Sequence, residues 1–351
     1  MSTEQHLQQQ IHTALEESSP LHIQGGNSKS FYGNPVNSDT VLSTTQHCGI
    51  VDYQVPELFV TARAGTLLTD LEAALAEKQQ ILPFEAPIFS PNTTVGGAIA
   101  AGLSGPRSPY FGSIRDSILG VKIINGHGDI VSFGGQVMKN VAGYDMSRLM
   151  AGSLGTLGLI LEVSLKVSPM PEVEATLMLP CPHEEAIENF NLLRQSGLPI
   201  SASCYIDGEI FVRIAGKQAH INSLIQRHTW ETYPDGDVFW QSIRNHTHSF
   251  FDHNEIPLWR LSVAPASLIS ARLNSETMIE WGGGVRWINS NTPANIIITS
   301  AQKKGGHATL FKGAIPGIKT FPPLPPSLLK IQNSLKQKLD PKGIFNPGRI
   351  Y

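Results

Sequence analysis

Cysteine is scarce. The 351 residues hold three, Cys48, Cys181 and Cys204, far apart and never as C-x-x-C. That leaves too few thiolates for an iron–sulfur cluster and no spacing for a structural zinc. An odd count without pattern fits a reducing compartment. The 12 histidines form no H-E-x-x-H and no group at metal-ligand spacing, so no metal site is expected. Long hydrophobic runs are missing too. Nothing approaches ~18 consecutive apolar residues, so no integral membrane segment is expected. The polar start, Met1 to Gln10, lacks the apolar core of a signal peptide. Positive charge is not in excess: the formal net charge is −3, which argues against a nucleic-acid partner. No G-x-G-x-x-G opens a helix and GxxxxGK[ST] is absent, so the usual nicotinamide and nucleoside-triphosphate folds lose support. There is no evident internal repeat and no low-complexity tract.

What is present is ordinary globular composition, 41% hydrophobic and 16% charged, enough for one or two cores. The first half alternates short strands with glycine turns. Leu21 to Ile23 reads as a strand entering Gly25-Gly26, and Leu58 to Ala62 as another. Thr66 is expected to cap a helix reaching Lys78, with Leu67, Leu71, Ala74 and Leu75 on one face. Ile118 to Ile124 and Ile130 to Phe133 flank Asn125-Gly126-His127-Gly128-Asp129, a hairpin by its turn chemistry. Ile160 to Val167 is a strand, and Pro169 and Pro171 mark a boundary. Beyond it, Ser201–Ile206 and Ile210–Ala215 form a second hairpin, and Gln218–His228 and Pro293–Lys303 are helical. Leu258–Val263, Val285–Ile288 and Ala308–Phe311 are strands. This alternation predicts one sheet covered by helices on one face, an α+β layer. Ser327 is expected to cap a last helix carrying Leu328, Ile331, Leu335 and Leu339 on one side.

Three glycine-rich segments fall in the first half. Gln24 to Ser30 follows a strand directly. Its consecutive glycines let backbone N–H groups approach a diphosphate, and Asn27, Ser28 and Lys29 add polar and charged side chains. A plain strand-ending turn is the alternative. Thr93 to Gly105 opens a helix made of very small residues. Each helical glycine costs ~1 kcal/mol against alanine, which calls for a reason. Close approach of a flat ligand or diphosphate to the helix start is one, and tight helix–sheet packing is the other. Gly152 to Ile160 leads into a strand, either as an adenine contact or as a simple turn.

In this order the segments resemble the FAD-binding domain of the vanillyl-alcohol-oxidase/p-cresol-methylhydroxylase flavoproteins. Ser113 to Asp116, Phe133 to Gly135, Val137 to Asp145, Leu149 to Gly152 and the tail Leu339 to Arg349 are similar to the E-subunit family of bacterial glycolate oxidases. The resemblance covers nearly the whole chain, with its middle matching mainly in layout. It implies an α+β protein with a two-lobed FAD-binding domain over residues 1–170 and a smaller ferredoxin-like cap over 171–326. Residues 327–351 would be a tail returning to the flavin. It further implies that Gly25, Gly26, Asn27, Ser28 and Lys29 sit on the pyrophosphate, and that Thr94, Val95, Gly96, Gly97, Ser104 and Gly105 flank the flavin and phosphates. Gly152, Gly155, Gly158 and Ile160 would offer backbone to the adenosine half, with Asn346 near the flavin ring. The histidine that often tethers flavin in this superfamily is replaced by Asn27 and Ser28, so the FAD is expected to be non-covalent.

The activity implied is oxidation of glycolate or another small 2-hydroxy acid, in a complex with a D-type flavin subunit and an iron–sulfur F-type subunit. The location implied is cytoplasmic, or peripheral at the inner membrane through those partners. The histidine-rich cap motif of the longer catalytic D subunits is missing. Only Gly305-Gly306-His307 and the following strand stand in its place, which casts doubt on independent turnover. A self-sufficient oxidase of another small alcohol and a scaffold with a non-catalytic flavin site therefore stay as alternatives. His307 is a candidate base or a structural histidine. Arg213, Arg260 and Arg286 lie inside cap strands. If they share one sheet face they make a cationic floor for a carboxylate; otherwise they are solvated or salt-bridged. Arg115, Lys139, Tyr144 and Asp145 are loop or flavin-lining residues that spacing does not decide.

Overall fold

The computed structural model describes residues 2–135, 145–227, 230–253, 255–268 and 276–350. Lys139, Tyr144 and the rest of the Val137–Tyr144 run, together with His228, lie outside the described residues. The chain forms two compact units: Met1–Leu103, Ser113–Met170 and Pro323–Tyr351 make the first, and Ser104–Gly112 with Pro171–Pro322 the second.

Among the described residues of the first unit, nine strands follow the chain: β1 (His22–Gln24), β2 (Val41–Ser43), β3 (Ile50–Gln54), β4 (Phe59–Arg63), β5 (Gln80–Ile81), β6 (Ile118–Ile124), β7 (Ile130–Gly134), β8 (Leu159–Lys166) and β9 (Ser168–Pro169). Five of them form an antiparallel sheet in the order β3-β4-β8-β6-β7. The helices Leu68–Ala76 and Val95–Ala101 lay Leu68, Leu71, Leu75, Val95, Ala98 and Ile99 against Val60, Val121, Val163 and Leu165. This apolar stripe at helical spacing drives the packing. A second core forms where Leu7, Ile11 and Ala14 of the helix Thr3–Glu17 meet Leu21, Leu42, Leu161 and Phe345. That helix opens on a reciprocal cap: Gln5 N–H donates to Ser2 Oγ at 3.2 Å, and Ser2 N–H to Gln5 Oε1 at 2.9 Å.

Two expected caps are corrected. Thr66 does not cap the helix after it, because Leu68 N–H is taken by Thr93 O at 2.8 Å. The Thr66 hydroxyl instead accepts from Gly49 N–H at 2.9 Å and donates to Gly49 O at 3.1 Å. Ser327 does not cap the last helix, Pro326–Leu339. It starts a residue earlier, on a proline with no N–H to satisfy. Its Leu328 and Ile331 are 49% and 63% exposed, so the predicted stripe is only partly used. The Asn125–Asp129 turn forms as expected, with Asn125 Oδ1 accepting from His127 N–H and Asp129 N–H.

In the second unit, β10 (Val173–Pro180), β11 (Ile200–Ile206), β12 (Glu209–Gly216), β13 (Glu231–Thr232), β14 (Leu258–Ser262), β15 (Glu276–Glu280), β16 (Val285–Asn289) and β17 (His307–Lys312) build one sheet, ordered β13-β10-β12-β11-β15-β16-β14-β17. Helices Ala186–Gln195 and Gln218–Arg227 follow β10 and β12. The first four strands therefore make a βαββαβ motif of ferredoxin-like order 4-1-3-2. The last four repeat that order in mirror sequence along the sheet, with Ala294–Gln302 as the helix before β17. The halves join antiparallel where Cys204 pairs with Glu280 and Tyr205 with Ile279. A topological duplication is thus present in a chain whose sequence displays no repeat. Strand pairing needs apolar, β-prone residues buried in the sheet, which unrelated sequences supply equally well.

Candidate cofactor-binding site

The turn after β1 carries the strongest signal. Among the described residues, no protein acceptor receives the N–H groups of Gly25, Gly26, Asn27 and Ser28. Asn27 adopts φ 55°, which curls successive amides toward one side. Four free donors in such a nest suit a diphosphate. Lys29, almost buried, lies 5.5 Å from the Phe89 ring centre, with its Nζ 3.4 Å from Ser28 Oγ. Glycine is required at 25 and 26 by packing: a Cβ would stand 2.2 Å from Thr94 Oγ1 and 1.5 Å from Asn92 O, respectively.

Thr94 caps the small-residue helix, accepting from Gly97 N–H at 3.2 Å. The two explanations for its glycines divide between neighbours. At Gly96 a Cβ would approach Ala64 Cβ to 2.6 Å, so tight helix–strand packing dictates it. At Gly97 the nearest obstacle is Thr94 Oγ1 at 3.1 Å, and the residue lines the cleft. Across from this helix, Leu154 N–H donates to Ala100 O, and Gly155 and Gly158 take positive φ of 72° and 156°. Asn346 closes the wall. Its Oδ1 accepts from Ile23 N–H and its Nδ2 donates to Leu154 O, both at 2.7 Å.

Gly25, Gly26, Asn27, Ser28, Lys29, Thr94, Gly96, Gly97, Gly155, Gly158, Ile160 and Asn346 together line one cleft. It shares Gly25, Gly26, Asn27 and Thr94 with a neighbouring hollow of about 850 Å³, reaching Cys48, Gly65, Thr66 and Asp70. Space of that size takes a large cofactor. Val95 is not on the wall; it is buried in the core. Gly152 faces a different cavity, and its N–H is spent on Ile99 O. Ser104 and Gly105 belong to the second unit. Sequence reasoning missed His22, Gln24, Thr44 and Arg349 on the wall. Strand alternation gave no sign of the first three, but Arg349 stood in the tail motif. The His22 pKa is lowered by burial and by Arg349.

In the second unit the three arginines do not share a face. Arg260 pairs with Trp287 and Thr309, whereas Arg286 pairs with Leu261 and Ile279. Paired residues share a face and neighbours alternate, so Arg286 points to the side covered by the helix Ala294–Gln302, with Leu261 and Ile288. There it is buried, donating to the carbonyls of Gly283 and Ser267, and burial lowers its pKa to about 10. The expected single helix-covered face is corrected, because Phe239 and Trp240 of the helix Gly236–Asn245 pack on Phe211 and Thr176 of the other face. Arg213 lies on the Arg260 side but is engaged by Ser201 Oγ at 3.0 Å and Glu174 at 3.8 Å. The expected three-arginine floor is therefore corrected to Arg260, which rests against the rings of Trp281 and Trp287 at 5.2 and 5.7 Å. His307, exposed at the start of β17, pairs with Ser262 two residues from Arg260. Its pKa is lowered by desolvation of the ring and then by the Arg260 charge.

Glu4, His47 and Glu162 bring possible ligand atoms within 4.8 Å of one another. The Lys122 ammonium already serves them as cation, 2.8 Å from Glu4 and 4.0 Å from Glu162.

Residues 1–134 match the family model described as an FAD binding domain. The chain is 42% identical to the glycolate oxidase subunit GlcE of Escherichia coli over 99% of its own length and 97% of that protein. It is 33% identical to the glycolate oxidase subunit GlcD of Bacillus subtilis, over 41% of this chain and 30% of that one. A rat mitochondrial D-2-hydroxyglutarate dehydrogenase is 26% identical over 64% of this chain and 42% of its own. Among solved structures, an alkyldihydroxyacetonephosphate synthase superposes with TM-score 0.68 at 16% identity, covering 97% of this chain and 74% of that one. The fold is shared with that enzyme.

Proposed function

Since this chain belongs to the FAD-dependent oxidoreductase family of the glycolate oxidase subunit GlcE, we propose that it is the FAD-bearing subunit of a glycolate oxidase complex. The complex oxidises glycolate or a related 2-hydroxy acid to the 2-oxo acid and passes the electrons through partner subunits. FAD is the cofactor, and when bound it supplies the hydride-accepting chemistry. The observation that carries the site assignment is the row of four unspent amides at Gly25 to Ser28.

Those amides, with Lys29, hold the pyrophosphate. Thr94 and Gly97 border the phosphates and flavin, and the backbone from Gly155 to Ile160 receives the adenosine half. Asn346 fixes the distance between the first turn and the adenosine loop. Neither Asn27 nor Ser28 is a residue that tethers flavin in this superfamily, which supports non-covalent FAD. The unit of 1–103, 113–170 and 323–351 serves as the FAD domain and the unit of 104–112 and 171–322 as the cap, which moves the segment 104–112 out of the expected 1–170 domain. In the cap, Arg260 is the carboxylate partner. His307, whose pKa is lowered by desolvation and by the Arg260 charge, takes the hydroxyl proton. The three scattered cysteines offer no cluster ligands, which supports an iron–sulfur partner beside a D-type flavin subunit. No described helix is long and apolar enough to cross a membrane. We assign the chain to the cytoplasm, with any membrane attachment through partners.

The test is the visible spectrum of the purified chain, followed by acid release and identification of the cofactor. Glycolate-dependent dye reduction is then measured with and without a D-type subunit. Acid-released FAD with turnover only in the complex is the expected result. Turnover by the isolated chain would favour a self-sufficient oxidase, and a folded chain that takes up no FAD would favour a scaffold.

A further inference from the structure

The last residues of the chain do more than end it. Arg349 lies on the cleft wall, with its guanidinium turned to the backbone of the turn from Lys29 to Asn34. It donates to Lys29 O at 3.3 Å, Ser30 O and Tyr32 O at 2.9 Å each, and Asn34 O at 2.8 Å. The turn answers in kind: Asn34 N–H donates to Arg349 O, and Asn34 Nδ2 to the carbonyls of Gly348 and Ile350. Among the described residues no carboxylate pairs with this guanidinium, which four carbonyls surround, and burial lowers its pKa. The planar guanidinium holds those carbonyls, and with them the loop from Lys29 to Asn34, in one geometry.

Two other side chains of the same segment act on the cleft's other loop. Lys336 Nζ donates to Thr156 O at 2.6 Å, and also to Phe345 O and to the buried Asp340 carboxylate. Asn346 joins Ile23 N–H to Leu154 O across the cleft. The tail itself adds to β1, with Leu21 N–H donating to Ile344 O and Asn346 N–H to Leu21 O.

We propose that the tail is a latch that preorganises the FAD cleft, and that Arg349 is its positioning residue. This inference rests on the cleft being the FAD site. Without the guanidinium, the segment from Lys29 to Asn34 loses its common anchor, and the adjoining amides of Gly25 to Ser28 must be ordered when the diphosphate arrives. The cost then falls on binding. Linkage is reciprocal: if tail docking raises FAD affinity, FAD must hold the tail down by the same factor.

The experiment uses the full chain, wild type, Arg349→Ala and Arg349→Lys. FAD is titrated into apoprotein by flavin fluorescence, alongside the apoprotein melting temperature. Hydrogen exchange at the amides of Asn346 and Arg349 is followed in wild type with and without FAD. The expected result is at least a tenfold rise in the FAD Kd for Arg349→Ala, a smaller rise for Arg349→Lys, and slower wild-type tail exchange when FAD is present. An unchanged Kd in Arg349→Ala overturns the latch, as does tail exchange indifferent to FAD. The exchange measurement decides even if the alanine variant does not fold. Wild-type protein that binds no FAD would instead defeat the underlying cleft assignment.

Discussion

Gly26 has no room for a side chain, because the first carbon would sit 1.5 Å from the Asn92 carbonyl oxygen. Gly26→Ala is expected to displace the turn and lower FAD content severalfold, read as the flavin-to-protein absorbance ratio of the purified protein. Arg286 serves backbone carbonyls on the buried side of its strand. Arg286→Ala is therefore expected to cost roughly 2–4 kcal/mol of stability, with no change in the glycolate KM of the assembled complex. A raised KM would return Arg286 to the substrate site. His246 is half-buried, stacked on Phe251 at 4.0 Å and edge-on to Trp287 at 4.7 Å. Burial, then Arg260 and Lys312, lower its pKa to about 3. A folded pKa below the unfolded one means the unfolded chain binds the extra proton. Stability is thus fully present above about pH 6.5 and falls with acid down to about pH 3, by ~1.4 kcal/mol per pH unit. Urea melts from pH 7 to pH 4 are expected to show this fall, and His246→Asn, which tolerates the φ of 55°, to flatten it. His307, as the base, is expected to hold activity flat at neutral pH and lose it on acidification below the usual histidine range, with the lower limb abolished in His307→Gln. At this scale the sequence read well where chemistry lies in the backbone: most glycines of the cleft were legible. How the cap arginines divide between the two sheet faces was not, since that depends on strand register.

Thr94 shows an element whose start is written locally. A threonine before a run of small residues predicts a capped helix, and Thr94→Ala is expected to cost about 1 kcal/mol in chemical denaturation. The helix Pro326–Leu339 shows the reverse. Its stripe was legible, but exposure of Leu328 and Ile331 was not, because a stripe says that a helix is amphipathic and not how much of it is covered. Leu328→Gln together with Ile331→Gln is expected to change stability by less than about 0.5 kcal/mol each. A large loss would mean that this face is packed in solution. Strands β10 and β15 escaped sequence reading. The first begins just after Pro171, and the second mixes acidic ends with a short apolar centre, Met278-Ile279. The helix Gly236–Asn245 escaped as well, since it opens on glycine yet buries Phe239, Trp240 and Ile243.

The molecule has separate hydrophobic cores in its two units. FAD held by the first unit stabilises that unit by mass action and leaves the second's own core unaltered. Scanning calorimetry of apoprotein with rising FAD is expected to move one transition upward by several degrees while another stays in place; a single transition moving as one would mean the cores melt together. By itself the sequence pointed to FAD as the cofactor and to the glycine turns that line the cleft. Glycines, caps and turns act over a few residues, and their physics is carried by the residues themselves. Only the tertiary structure decided that Arg286 is spent on its own backbone, that the cap repeats one strand order twice, and that Arg349 reaches back more than three hundred positions to the turn at Lys29 to Asn34. Those outcomes depend on strand register and on which distant carbonyls a buried cation meets. Neither quantity is encoded by spacing along the chain.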